Sequence, residues 1–307
     1  MATRGSAIGA VVLAAVCFGT TGTAQSLGAA GVDPLVLGAA RIVLGGALLA
    51  ALLGLEAARG TRRAARRPRG SSVLLVLLGA VGVVAYQPTF FTGTAENGVA
   101  VGTIVALGSA PAFTGLLEWL VLRTVPSARW FASTALAAGG VVLLAGLLTG
   151  GAGDGVSLLG LAGSAGAGAS YAVYAVCGKL LLERGFTPAA TMGAQFGVAA
   201  VIALPLLLAG SPQQLAGSLP AVLWLGVVTV ALAYTFFARG LRSLPAATVS
   251  TLTLVEPATA TLLGVAVLGE RLTLEALAGV AVLAAAVLLL AVPSKRTDRQ
   301  PASRLAE

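Results

Sequence analysis

Three ionisable side chains stand inside long apolar stretches of this chain: Arg41, Glu118 and Glu256. A charge at the centre of a membrane-spanning helix costs about 2.5–3.5 kcal/mol or more, so each needs a partner or a task. Glu256 precedes Pro257, whose ring and missing N–H disrupt a helix. Its carboxylate can bind a substrate ammonium or exchange a proton; it can equally sit protonated or hydrogen-bonded in the gap at the kink. Arg41 can hold a carboxylate as a bidentate donor, although an arginine so placed defaults to snorkelling to the outer interface or capping a helix end. Glu118 is followed closely by Arg123, and a boundary ion pair accounts for both.

Aromatic and amide groups form a second tier. Tyr86 and Phe90 share a helix face at i, i+4, with Gln87 and Phe91 beside them, and Tyr171 and Tyr174 share another. Together with Gln195 they can line a polar-tipped cavity, or serve interhelical hydrogen bonds worth about 0.6 kcal/mol on average. Gly160, Ser164 and Gly168, and the shorter pair Gly98 and Gly102, are spaced for close helix packing. Catalytic chemistry finds no support. The chain has no histidine, Cys17 and Cys177 lie in apolar segments at no metal-binding spacing, and no P-loop or nucleophile–base motif occurs. No cofactor is implied, and without an ATP-binding segment any energy must come from gradients.

These side chains have to be positioned by elements built for lipid. Apolar residues make up 57% of the 307, charged residues only 10%, and the mean hydropathy is +0.96, against about a quarter charged in soluble domains. The net charge of +8 does not indicate nucleic acid, because the basic residues sit between apolar runs and not on a solvated face. A helix needs about 20 apolar residues to span the hydrocarbon. The sequence predicts ten spans, near 7–27, 34–55, 72–92, 98–122, 128–149, 157–181, 188–209, 218–240, 246–268 and 273–292. The first could pass for a signal peptide, but nine spans follow it and it has a later counterpart, so it is retained. The polar tail 293–307 is expected to be disordered and cytoplasmic.

Basic residues are retained on the cytoplasmic side. With the amino terminus inside, 17 of the 19 Lys and Arg residues fall in inner segments, Arg271 alone lies in an outer connection, and Arg41 is within a span. An even number of spans with both termini cytoplasmic follows.

The sequence also repeats. A shift of 146 lays Thr89-Phe90-Phe91 on Thr235-Phe236-Phe237 and Pro111 on Pro257, with 17 identities over 89–145. Pro111 and Pro257 are the two expected helix kinks. Earlier in each half the shift becomes 154, placing Pro34 on Pro188 and Arg41 on Gln195; the longer Arg-rich connection 56–71 absorbs the difference. Five spans per half make the second half enter the membrane from the opposite side. The expected organisation is therefore an all-α membrane protein of two inverted five-helix repeats, 1–150 and 151–292. That symmetry suits alternating access around a midplane site.

Phe18-Gly19, Ala40-Arg41, Glu256-Pro257 and the string Leu268-Gly269-Glu270-Arg271-Leu272-Thr273 together resemble the drug/metabolite transporter superfamily, and within it the EamA-type ten-span transporters. The first half departs from the pattern: Ala110-Pro111 replaces Glu-Pro, and Leu122-Arg123-Thr124-Val125-Pro126 replaces the Gly-Glu-Arg turn. The resemblance implies a secondary transporter of the plasma or inner membrane, exporting small metabolites such as amino acids. The candidate binding residues are Arg41, Tyr86, Gln87, Phe90, Tyr171, Tyr174, Gln195 and Glu256. The expected partners are a small solute and membrane lipids, with protons a candidate at Glu256, and no nucleic acid. An exporter of lipophilic cations is the alternative within transport. A scaffold or an intramembrane enzyme is the alternative outside it, and an enzyme would need facing acidic or histidine residues that this chain does not offer.

Overall fold

The computed structural model describes residues 3–59, 70–144, 157–269, 271 and 273–292. The expected disordered tail, and most of the Arg-rich connection, lie outside them. Among the described residues all regular structure is helical: α1 Arg4–Gly19, α2 Thr21–Gly28, α3 Pro34–Ala58, α4 Gly70–Leu122, α5 Ala128–Leu144, α6 Leu158–Glu183 and α7 Pro188–Leu208. The short α8 Pro212–Gly217 and α9 Leu219–Trp224 follow. A π-helical segment Leu225–Leu232 leads into α10 Ala233–Ser243, then α11 Ala246–Leu252, α12 Val255–Leu268 and α13 Leu274–Ala291.

Nine described stretches are long and apolar enough to cross a membrane: Arg4–Gly28, Pro34–Ala58, Gly70–Val99, Val101–Leu122, Leu158–Glu183, Pro188–Leu208, Leu219–Ser243, Ala246–Leu268 and Leu274–Ala291. The apolar helix α5 is shorter, and the end of its expected span, 145–149, lies outside the described residues. Leu13, Leu52, Leu74, Leu78, Val201, Leu223 and Leu288 are all exposed. So broad a Leu and Val surface is stable only against lipid.

Polar caps begin several of the helices where lipid could not satisfy free N–H groups. Asp33 accepts from Leu35 N and Val36 N at 2.8 and 3.2 Å ahead of Pro34, and Thr187 accepts from Ala190 N at 3.0 Å ahead of Pro188. The two Pro-led helices start 188 − 34 = 154 residues apart. They also pack on each other, because a Cβ at Gly193 would come within 2.6 Å of Leu49 O. Elsewhere α4 packs on α6, α5 on α13, α1 on α10 and α11 on α4. Gly160 and Gly168 lie in the α4–α6 contact, as their spacing suggests. Gly98 does not pack: its φ of +77° ends one span and starts the next, while Gly102 rests on Thr94.

Cations at the end of the bundle that carries Arg4 cap helix carbonyls. Arg4 Nη2 donates to Leu290 O at 3.3 Å, and Arg129 Nε donates to Leu289 O. Glu118 corrects the expected ion pair with Arg123. Its carboxylate is 4% exposed and accepts the N–H groups of Ala246 and Ala247 at 2.8 and 2.9 Å, which a buried carboxylate prefers to a partner in the headgroup region. Arg123 instead leaves its helix in the left-handed conformation, φ +57°.

Candidate functional site

The segment Ala246–Leu268 is broken at Thr253–Leu254, so Glu256 enters in the first turn of α12. Pro257 accounts for the position of the break. Its ring disfavours a regular turn behind it, and in the first turn its missing N–H leaves no bond unmade. The chain closes the gap locally, with Glu256 N donating to Thr253 O at 2.9 Å and Thr253 Oγ1 to Ser250 O at 2.8 Å. Pro111 behaves differently: α4 keeps helical dihedrals through it, Gly98 being its non-helical residue.

A cavity of about 770 Å³ opens at the end of the bundle opposite Arg4, and Arg41, Tyr86, Gln87, Phe90, Glu256 and Pro257 line it. Beneath it, sharing Arg41, Tyr86, Gln87 and Glu256, is a smaller one of about 70 Å³, floored by Tyr171, Tyr174, Phe196 and Tyr234. Seven of the eight expected residues therefore border one continuous space. Arg41 Nε is buried without a hydrogen-bond partner. Among the described residues no ion pair joins Arg41 to Glu256, so the two face the same space without closing on each other.

The floor is aromatic. Tyr86 stacks on Phe90 with centroids 5.7 Å apart, and Tyr171 meets Tyr174 at 5.0 Å. Tyr234 lies 4.2 Å from Phe196 and 5.0 Å from Phe18. Its hydroxyl donates to Tyr174 Oη at 3.2 Å, and Tyr171 Oη pairs with Thr253 Oγ1 at 3.1 Å. Gln87 lies over α3 one turn from Arg41, where a Cβ at Gly38 would meet Gln87 Oε1 at 2.9 Å.

Gln195 is the residue the fold keeps apart. It is fully buried, its Nε2 reaches Tyr174 O at 3.5 Å, and it fills the space left by Gly79, so its neighbour Phe196 borders the small cavity in its place. Sequence reasoning missed Tyr234, Thr229 and Thr253. A signal for Tyr234 existed: the chain has four tyrosines, and all four border the small cavity. The π-helical turn before Tyr234 had none, because its residues read as an ordinary apolar helix.

Among the described residues, a helical membrane bundle with an arginine and a glutamate facing one cavity at a broken helix, and no ion pair between them, has the architecture of a transporter. The chain matches the EamA-like transporter family over residues 5–146 and again over 158–292. It is 37% identical over 299 residues to the uncharacterized transporter YwfM of Bacillus subtilis (strain 168), covering 95% of this chain and 96% of that protein. A solved crystal structure of a protein 21% identical shares the fold, with a TM-score of 0.74 over 94% of this chain and 96% of the other. The chain belongs to the EamA-like transporter family. It is thus a multi-pass integral membrane transporter and not an enzyme.

Proposed function

We propose that this protein is a secondary carrier that exports small zwitterionic metabolites, such as amino acids, across the inner membrane by alternating access. The observation that carries this reading is that Arg41 and Glu256 border one cavity with no ion pair between them. A carboxylate and an ammonium on one small solute would satisfy both charges. Proton binding at Glu256 in the empty carrier would couple export to the proton gradient.

Alternating access follows from ten spans in two inverted repeats, 1–150 and 151–292. Several features support that organisation. The family match falls in two segments, the Pro-led helices keep the offset of 154, and the left-handed helix ends at Arg123 and Gly269 stand 269 − 123 = 146 residues apart. With both termini cytoplasmic, as the distribution of basic residues implies, the cavity faces outward. An exporter of lipophilic cations would share the aromatic floor, but a guanidinium bordering the cavity opposes a cationic cargo.

Uptake into inverted vesicles of a panel of radiolabelled amino acids and cationic dyes tests the proposal. Accumulation of amino acids that falls in both Arg41→Ala and Glu256→Gln supports it. Accumulation of dyes alone, or wild-type behaviour of both variants, refutes it.

A further inference from the structure

The Leu244–Ala247 connection, which joins α10 to α11 at the closed end of the bundle, is held by two opposite charges from other helices. Glu118 of α4 accepts both N–H groups of Ala246 and Ala247, at 2.8 and 2.9 Å. Lys179 of α6 donates to Leu241 O and Leu244 O, at 3.1 and 3.0 Å, and is balanced by Glu183 at 3.9 Å. Neither Glu118 nor Lys179 borders the cavities, so substrate binding does not account for them.

Between this clamp and the site lies α11. All seven of its residues are buried, and it spans about 10 Å at 1.5 Å per residue. One end is gripped by Glu118. The other runs into the break, where Thr253 bonds Tyr171 and Ser250 and accepts from Glu256 N. α11 is therefore tied to the clamp at one end and, through the hydrogen bond from Glu256 N to Thr253 O across the break, to the Glu256 turn at the other.

We infer that Glu118 and Lys179 form the latch that keeps the end of the bundle bearing Arg4 shut, and that α11 links this latch to the substrate site. Opening that end requires α11 to move, which strips the Glu118 carboxylate of both its donors and Lys179 of both its acceptors. Charge-assisted bonds of this kind bias a two-state equilibrium strongly when they exist in one state alone. The inference rests on the alternating-access reading proposed above, but its test needs no substrate, so an error about the cargo leaves its outcome unchanged.

The test uses the full chain in membrane vesicles with Cys17 and Cys177 replaced by Ala. Ser250→Cys, a near-isosteric change on α11, reports on the latched end; Thr103→Cys reports on the large cavity. Each thiol is challenged with an impermeant maleimide from either side. Glu118→Gln, and separately Lys179→Gln, should raise labelling of Ser250→Cys from the end bearing Arg4 about tenfold and lower labelling of Thr103→Cys. A merely structural role would loosen the protein and raise both rates. Unchanged rates, or a rise in both, overturn the inference. Should Glu118→Gln fail to fold, the opposite responses of the two thiols in Lys179→Gln decide alone.

Discussion

Gly19 rests on the backbone of Glu256: a Cβ at Gly19 would stand 2.8 Å from Glu256 O and 2.5 Å from Thr259 Cβ. The first apolar segment thus crosses the broken one at the level of its unpaired carboxylate, and the absence of a side chain permits that approach. This gives the Phe18-Gly19 pair a physical meaning. Gly19 lets the two helices meet, and Phe18 then reaches Tyr234 in the floor.

Gly19→Ala is accordingly expected to push the Glu256 turn aside, at about 1–3 kcal/mol of overpacking, and to cut transport at least tenfold while the protein still inserts. Gly9→Ala, on the same helix with nothing within 4 Å of its Cβ, should transport normally. Uptake normalised to membrane-inserted protein makes the comparison, and equal activity of the two variants would remove Gly19 from the site.

Arg123 and Gly269 end α4 and α12 in the same left-handed conformation, with φ of +57° and +72°. A residue with a Cβ pays for that conformation and glycine does not. Arg123→Gly should therefore stabilise the protein by about 0.5–1 kcal/mol, a rise of roughly 2 °C for a chain of this size, and Gly269→Ala should destabilise it by about 1 kcal/mol. Thermal unfolding in detergent reads both, and a loss of stability in Arg123→Gly would contradict the assignment.

Gln195 occupies the sequence position that pairs with Arg41 yet borders neither cavity, and its Oε1 is buried without a partner. Gln195→Met keeps its volume and removes that orphaned acceptor. We expect unaltered KM for the transported solute and unfolding within about 1 kcal/mol of wild type. An altered KM would place Gln195 in the binding path.

Nine of the expected spans were legible in the sequence because lipid demands long apolar helices whatever the neighbours, and Asp33-Pro34, Ser157, Thr187-Pro188 and Thr273 mark where several of them start. Arg41 and Glu256 stood out because a charge among apolar residues is costly wherever it points. What the sequence withheld depends on partners distant along the chain. The role of Glu118 turns on two N–H groups 128 and 129 residues away, not on nearby Arg123. Gln195 is turned from the cavity by the small volume at Gly79. Pro111 and Pro257 share a place in the repeat, yet α4 runs through the first and the helix is broken before the second. The sequence repeat marks both prolines as kinks, and only packing decides which of them breaks its helix.

In the proposed function Arg41 and Glu256 divide one zwitterion between them. The most direct test compares competition by an amino acid, by its amide and by the amine lacking the carboxylate, against uptake of the best radiolabelled substrate. Arg41→Ala should weaken the amino acid about 10- to 100-fold, the worth of a charged hydrogen-bonded contact, and leave the amine unaffected; Glu256→Gln should weaken all three compounds that carry the ammonium. If Arg41→Ala weakens the amine as much as the amino acid, or if neither substitution alters competition, the two charges do not bind the solute in this way.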